Sequence, residues 1–137
     1  MKIISGTIKK YQKVVIYGPE GIGKSSFAAQ FPRPLFIDTE ASTMHMDVAR
    51  LERPSSWAVL MEYVQELTKD HQGFTTLVID TIDWAEQLCV QHICAKHQVG
   101  GIEDIGYGKG YVYEKEEFGK LLNKLQDLID SGMNVVL

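Results

Sequence analysis

The chain is short of cysteine and of arginine, and it has no long apolar run. Its two cysteines, Cys89 and Cys94, sit five residues apart in a helical pattern. They cannot form a disulfide framework, and they fit a reducing compartment. No apolar stretch approaches the length needed to cross a bilayer. The N-terminus, Met1 to Lys13, lacks the apolar stretch and small-residue cleavage site of a signal peptide, so the expectation is a cytoplasmic protein without membrane contact. No excess of positive charge is present: the formal net charge is −4, which does not advertise a nucleic-acid binder. Contact with DNA or RNA would need a local patch or a ring of subunits. Internal repeats, low-complexity tracts and linkers are also absent. What remains is 137 residues of ordinary hydrophobic content, 45%, enough for one domain with a real core.

Apolar β-branched runs alternate with helical patterns. Val14 to Tyr17 predicts a first strand, nearly all apolar, of the kind buried on both faces of a parallel sheet. A helix is expected from Lys24 to about Gln30, stopped by Pro32 and Pro34. Leu35-Phe36-Ile37 predicts a second strand, and the segment from Ala41 to Arg53 has no clear pattern. Ser55 or Ser56 should cap a helix carrying Trp57, Leu60, Met61, Val64 and Leu67 on one face, broken at Gly73. Leu77-Val78-Ile79 predicts a third strand, followed by a helix from about Ile82 to Lys96. A glycine-rich interruption, Gly100 to Gly110, precedes an amphipathic helix from Glu114 to Asp130 with Gly132 as its C-terminal cap. Val135-Val136-Leu137 reads as a fourth buried strand. A natural domain rarely ends on its most apolar strand, so residues 1–137 are expected to form one domain that continues past this point. The other reading is a minimal domain ending in a sheet strand. The alternation predicts an α/β fold with a mostly parallel sheet flanked by helices.

Between the first strand and helix stands Gly18-Pro19-Glu20-Gly21-Ile22-Gly23-Lys24-Ser25, a full G-x-x-x-x-G-K-[ST] P-loop, with Ser26 following. Triphosphate oxygens need many donors at close range. Gly21 and Gly23 let the backbone curl inward without side-chain obstruction. The amides of residues 21–25 then point at the phosphates, at the positive end of the following helix. Lys24 adds a mobile charge for the β and γ phosphates, and the Ser25 hydroxyl can ligate Mg2+. A chance match in a glycine-rich turn is the competing reading, and the strand and helix on either side speak against it. A nucleoside triphosphate with magnesium is therefore the expected ligand.

Asp80 closes the apolar run Leu77-Val78-Ile79, 55 residues after Ser25, as expected of a magnesium-orienting carboxylate. The plainer role for it is a cap on the next helix. Hydrolysis also needs a group that orients and polarises the attacking water. Many AAA+ enzymes place a Glu directly after the magnesium Asp, but here Thr81 follows. Glu40, past the second strand in Phe36-Ile37-Asp38-Thr39-Glu40, is the better candidate, because strand ends gather at the ligand-binding edge of a parallel sheet. Otherwise Asp38 and Glu40 merely begin a polar loop. Asp83 and Glu86 are weaker alternates, expected on the exposed side of their helix.

These residues resemble the RecA-like (ASCE) branch of P-loop ATPases. RecA-type recombinases carry an apolar strand ending Ile-Asp-x-Glu, with that Glu activating water, and Ile37-Asp38-Thr39-Glu40 is similar to it. They also follow the magnesium Asp with a small hydroxyl residue, as Asp80-Thr81 does. More closely, the chain resembles phage-encoded AAA/RecA-like nucleotide-binding proteins related to single-strand annealing and recombination ATPases. The matching pieces are Tyr17 to Ser25, Phe36 to Glu40, Val78 to Thr81 and Tyr107 to Tyr111, which together span nearly the whole chain. The resemblance implies an ATPase acting on DNA, in a homo-oligomer, in the cytoplasm of a phage host.

Ile105 to Val112 and Tyr113 interleave three tyrosines, one lysine and three glycines. Flexible backbone, aromatic faces and a cation are the chemistry of single-strand stacking, so Tyr107, Lys109 and Tyr111 are candidate contacts to single-stranded DNA. A loop that packs its tyrosines on the domain, or one that covers the nucleotide, would look the same. Cys89, His92, Cys94 and His97 spread too far around a helix to converge on zinc, and read as core thiols and surface histidines. Lys9, Lys10 and Lys13 read as a solvated edge. Only three arginines occur, Arg33, Arg50 and Arg53, and none lies in a later lid-like region. That counts against a P-loop kinase, which remains the alternative together with a non-hydrolysing nucleotide-binding module. Arg50 and Arg53 could serve as an arginine finger toward a neighbouring subunit, though nothing in the sequence selects them.

Overall fold

The computed structural model describes residues 1–7, 10–19 and 21–137. Among these residues five strands form one sheet in the order β1-β5-β4-β2-β3, with four α-helices between them. The strands are β1 (Lys13–Val14), β2 (Pro34–Asp38), β3 (Ala49–Leu51), β4 (Thr76–Asp80) and β5 (Asn134–Val136), and every pairing is parallel. The helices are α1 (Lys24–Ala28), α2 (Trp57–Lys69), α3 (Ile82–His97) and α4 (Lys109–Ser131). This is the α/β P-loop NTPase architecture.

Strand alternation sorts the core into two layers. Leu35, Ile37, Leu77, Ile79 and Val135 point to one face, where they pack with Trp57, Leu60, Val64 and Leu67 of α2, Ala85 and Cys89 of α3, and Leu121, Leu125 and Leu128 of α4. Phe36, Val78 and Val136 point to the other face and meet Ala28 of α1. The second layer is much smaller. Parity carries through to the strand ends: Asp38 and Asp80 lie two residues beyond Phe36 and Val78, so they belong to the α1 face. Thr39 follows Leu35 and Ile37 onto the opposite face.

Several elements depart from the pattern read above. The first strand is Lys13–Val14, not Val14 to Tyr17, and it lies at an edge of the sheet instead of being buried on both sides. Val15 is 58% and Tyr17 90% exposed. Backbone pairing still continues a little further, because Ile16 N donates to Leu137 O at 2.9 Å. The helix after the P-loop stops at Ala28, since Pro32 and Pro34 leave it little room. The unassigned stretch after Ala41 contains β3, an edge strand of three residues whose apolar pattern is too short to register. The strand at Val135 is accordingly the fifth in chain order and not the fourth.

The glycine-rich stretch is no open loop. It folds into two 3-10 turns, Ile102–Asp104 and Gly106–Gly108, and Lys109 to Tyr113 already belong to α4. Ile102 and Ile105 are buried under it, which anchors the segment. Gly110 is required there by close packing: a Cβ would collide with the Ile102 carbonyl. Ser56, not Ser55, caps α2, accepting from Val59 N at 3.2 Å. Lys10 and Lys13 are exposed, as a solvated edge should be, while Lys9 lies outside the described residues. Among the described residues no helix is long and apolar enough to cross a membrane.

Candidate functional site

The P-loop leaves β1 and turns into α1. Gly21 (φ 83°) and Gly23 (φ 98°) take left-handed conformations that a side chain would strain. Ile22 N closes the turn on Pro19 O at 3.3 Å, and Phe27 N continues it on Gly23 O at 2.9 Å. Glu20 lies outside the described residues. With only five residues in α1, the local amides matter more than a macrodipole, whose effect needs aligned peptide units. Lys24 Nζ donates to Gly18 O at 2.6 Å, which holds the ammonium over its own loop. The Ser25 hydroxyl bonds directly to the Asp80 carboxylate. The cap on α3 is Thr81, which accepts from Trp84 N at 3.5 Å, so Asp80 has no capping role there.

Register explains the meeting of strand ends. Asp38 and Asp80 are partners in the β2–β4 ladder. Thr39 N donates to Asp80 O at 2.8 Å. The buried Thr39 hydroxyl accepts from Thr81 N at 2.9 Å and lies 3.1 Å from both the Asp80 and Thr81 carbonyl oxygens, to one of which it donates. Thr39 thus latches the end of β2 to the end of β4. The Asp80–Thr81 peptide is cis.

Two cavities meet at Lys24, Ser25 and Asp80. One, of about 320 Å³, is walled by apolar groups including Ile16, Val78 and Val136. The other, of about 570 Å³, shares Thr81 and Asp83 with it as well and is lined besides by Gly21, Gly23, Ser26, Glu40 and His45. Glu40 therefore stands on the same cleft as the P-loop. Asp83 lies on both cavities even though its side is exposed, so it is nearer the site than its helical position implied. Glu86 is not near it: it lines neither cavity and lies beside Glu114 of α4, on the other side of the sheet. His45 escaped the sequence reading because nothing patterned surrounds it.

Asp38 is not a cleft residue. It is 3% exposed and accepts from Ser42 N at 3.0 Å, Thr43 N at 2.8 Å and the Thr43 hydroxyl. Burial works to raise its pKa, but these hydrogen bonds together hold it below the ordinary carboxylate value. Arg50 closes the same loop, donating to Thr43 O and Met46 O at 2.8 Å each. The Asp38–Thr43–Arg50 set shapes the segment that carries Glu40 and His45. Arg50 is spent on this work and is not free to reach a neighbour. Cys89 is a buried core thiol, pushed up to about 12 by burial and then by the charges of Glu114, Glu117 and Glu86.

Tyr107, Lys109 and Tyr111 line neither P-loop cavity. Tyr107 is fully exposed, with φ at 58°, and Tyr111 is 56% exposed.

A parallel sheet whose β1 runs into a P-loop, with a hydroxyl of that loop bonded to the Asp ending β4, defines a P-loop nucleotide-binding domain. A family model described as an AAA domain matches residues 10–137, and the chain belongs to that family. It is also similar to the SPbeta prophage-derived uncharacterized protein YorG of Bacillus subtilis (strain 168), with 23% identity over 129 residues, 90% of this chain and 39% of that protein. The chain thus spans about two fifths of that relative's length.

Proposed function

We propose that the protein is a magnesium-dependent ATPase of RecA-like type, encoded by a phage or prophage and acting on DNA in recombination or single-strand annealing. The observation that carries the reading is one cleft that holds Lys24, Ser25, Asp80 and Glu40 together. The amides of residues 21–25 and the Lys24 ammonium bind the phosphates, once the ammonium leaves Gly18 O. Mg2+ fits here: Ser25 and Asp80 bring two hard oxygen donors to one point, and a single carboxylate beside the ion suffices. The ion would neutralise charge on the β and γ phosphates. Glu40 accepts a hydrogen bond from the attacking water and orients it toward the terminal phosphorus. Coupling to DNA comes from homo-oligomerisation, with nucleotide state biasing the elements around the cleft. The relative's prophage origin supports the phage context.

A phosphotransferase would need a carboxylate for the acceptor hydroxyl. Asp38 is already engaged by Ser42 and Thr43, which leaves Glu40 of the two carboxylates that follow β2. Phosphate release from ATP and magnesium without an added acceptor separates the two. The expected result is release stimulated by single-stranded DNA, and in Glu40→Gln a loss of about 10²–10⁴-fold with ATP binding retained. Release indifferent to DNA defeats the DNA-acting part. Normal turnover by Glu40→Gln removes Glu40 from its role, and ATP binding without turnover by the wild type leaves a non-hydrolysing module.

A further inference from the structure

A third cavity, of about 370 Å³, opens on the opposite side of the β2 end from the P-loop. Thr39 forms its inner wall, with Arg53 and Ser55 from the β3–α2 connection on one side and Trp84, Gln87 and Gln91 of α3 on the other. Gln87 and Gln91 are one helical turn apart, and Trp84 is one turn before Gln87, so all three share a face. None of these residues lines the P-loop cavities, and Thr39 touches that site through its latch on β4.

Their chemistry is selective. Trp84 is 42% exposed, a large apolar surface left in water at a cavity mouth. Arg53 is exposed and, among the described residues, has neither a hydrogen bond nor an ion pair, in contrast to Arg50. Two primary amides supply paired donors and acceptors. Among the described residues no carboxylate lines the cavity. A flat ring with hydrogen-bonding edges and an attached anion satisfies all four at once: the ring stacks on indole, its edge meets the amides, and the anion meets guanidinium. The space is the size of one nucleotide unit.

We infer that this cleft binds one nucleotide of a single-stranded nucleic acid, with the base stacked on Trp84 and the phosphate at Arg53. The inference rests on the reading of the protein as an ATPase acting on a single strand, and it places the contact beside the nucleotide cleft. Thr39 connects the two. Its side chain walls the strand cleft, its hydroxyl latches β4, and the next residue is Glu40. A strand seated on Trp84 therefore presses on the segment that positions Glu40, a physical route by which it stimulates hydrolysis.

The chain has two tryptophans, and Trp57 is 2% exposed, so quenching by an added strand reports on Trp84. The test is a fluorescence titration of the purified protein with an oligothymidylate of about eight nucleotides, a length within the site sizes of single-strand binders, run beside anisotropy of the same oligonucleotide carrying a dye. Saturable quenching is expected, absent in Trp84→Ala, with affinity by anisotropy falling about ten-fold in that variant. Arg53→Gln should also weaken binding and reduce the slope of log affinity against log salt by about 0.7. Both variants change exposed side chains, and their unchanged affinity for a fluorescent ATP analogue checks that they fold. Binding seen by anisotropy but silent at Trp84, and abolished by Tyr107→Ala, overturns the site while leaving a DNA-acting ATPase intact. Emission that follows protein concentration instead of oligonucleotide overturns it in favour of an interface between copies. No binding in either assay overturns the site and the DNA-acting reading together, whereas ATP turnover measured alongside decides the ATPase reading separately.

Discussion

The two faces of the sheet are unequally built. One carries α2, α3 and α4 over a continuous apolar layer that includes Leu60, Leu121, Leu125 and Leu128, all fully buried. The other carries the P-loop and a five-residue helix over Phe36, Val78, Val136 and Ala28. The lesson is a division of labour. The thick face holds the strands in register, and register places Asp80 against Ser25. The thin face has little apolar area to hold it, and the loops around its cleft are shaped instead by short polar links such as Lys24–Gly18 and Asp38–Thr43. Regions with few buried contacts open at lower free energy than a core does.

Core truncations test that division most strongly. Leu125→Ala on the thick face should cost about 2–5 kcal/mol of unfolding free energy, measured by urea denaturation, because a buried Leu loses its transfer energy and leaves a cavity. Nucleotide affinity of the molecules still folded should not change. Val136→Ala should cost less, about 2 kcal/mol at ~0.8 kcal/mol per buried methyl group plus a small cavity, and yet weaken nucleotide binding, since Val136 walls the cleft. Equal effects on affinity would mean the faces are not independent.

Asp38→Asn sharpens the comparison from the polar side. Hydrogen bonds to a charged acceptor are worth about 1.5–3 kcal/mol, so the loop holding Glu40 should loosen. Phosphate release should fall while ATP binding holds; parallel loss of both would show that Asp38 supports the whole domain. The pH sign follows from its lowered pKa. The folded state binds the Asp38 proton less tightly than the unfolded chain, so its contribution is complete above the ordinary value of 3.8 and fades as pH falls through the folded value.

The smallest effect is expected at Glu114, where α4 meets α3. Burial, then the hydrogen bond and charge of Glu86, raise its pKa. The folded state therefore holds this proton more tightly, and stability is fully present below the ordinary value of 4.5 and is lost as pH rises through the folded one. Glu114→Gln should raise the melting temperature slightly near neutral pH, with the gain vanishing in acid. A gain that is constant with pH would rule out the Glu114 proton as its cause.

The sequence by itself determined the parts whose chemistry is local. The P-loop needs its glycines and Lys24 within eight consecutive residues, so the motif is complete before folding. The three central apolar strands and the amphipathic helices α2 and α4 were legible because burial on a sheet or one helical face imposes a period on consecutive residues. Glu40 was also legible, but only as a charge after a strand. Other features depend on which strands lie side by side, and no local pattern encodes that. Edge position left β1 half exposed and hid the three-residue β3. Ladder register set Asp38 beside Asp80, while strand parity and the turn after β2 buried Asp38 in its own loop and turned Thr39 toward Trp84. Asp38 and Glu40 look equivalent on paper; only the tertiary structure decided that one is consumed by Ser42 and Thr43 and the other faces the cleft, because the packing of β2 in the sheet fixes which way Asp38 points and buries it where the loop amides must satisfy it.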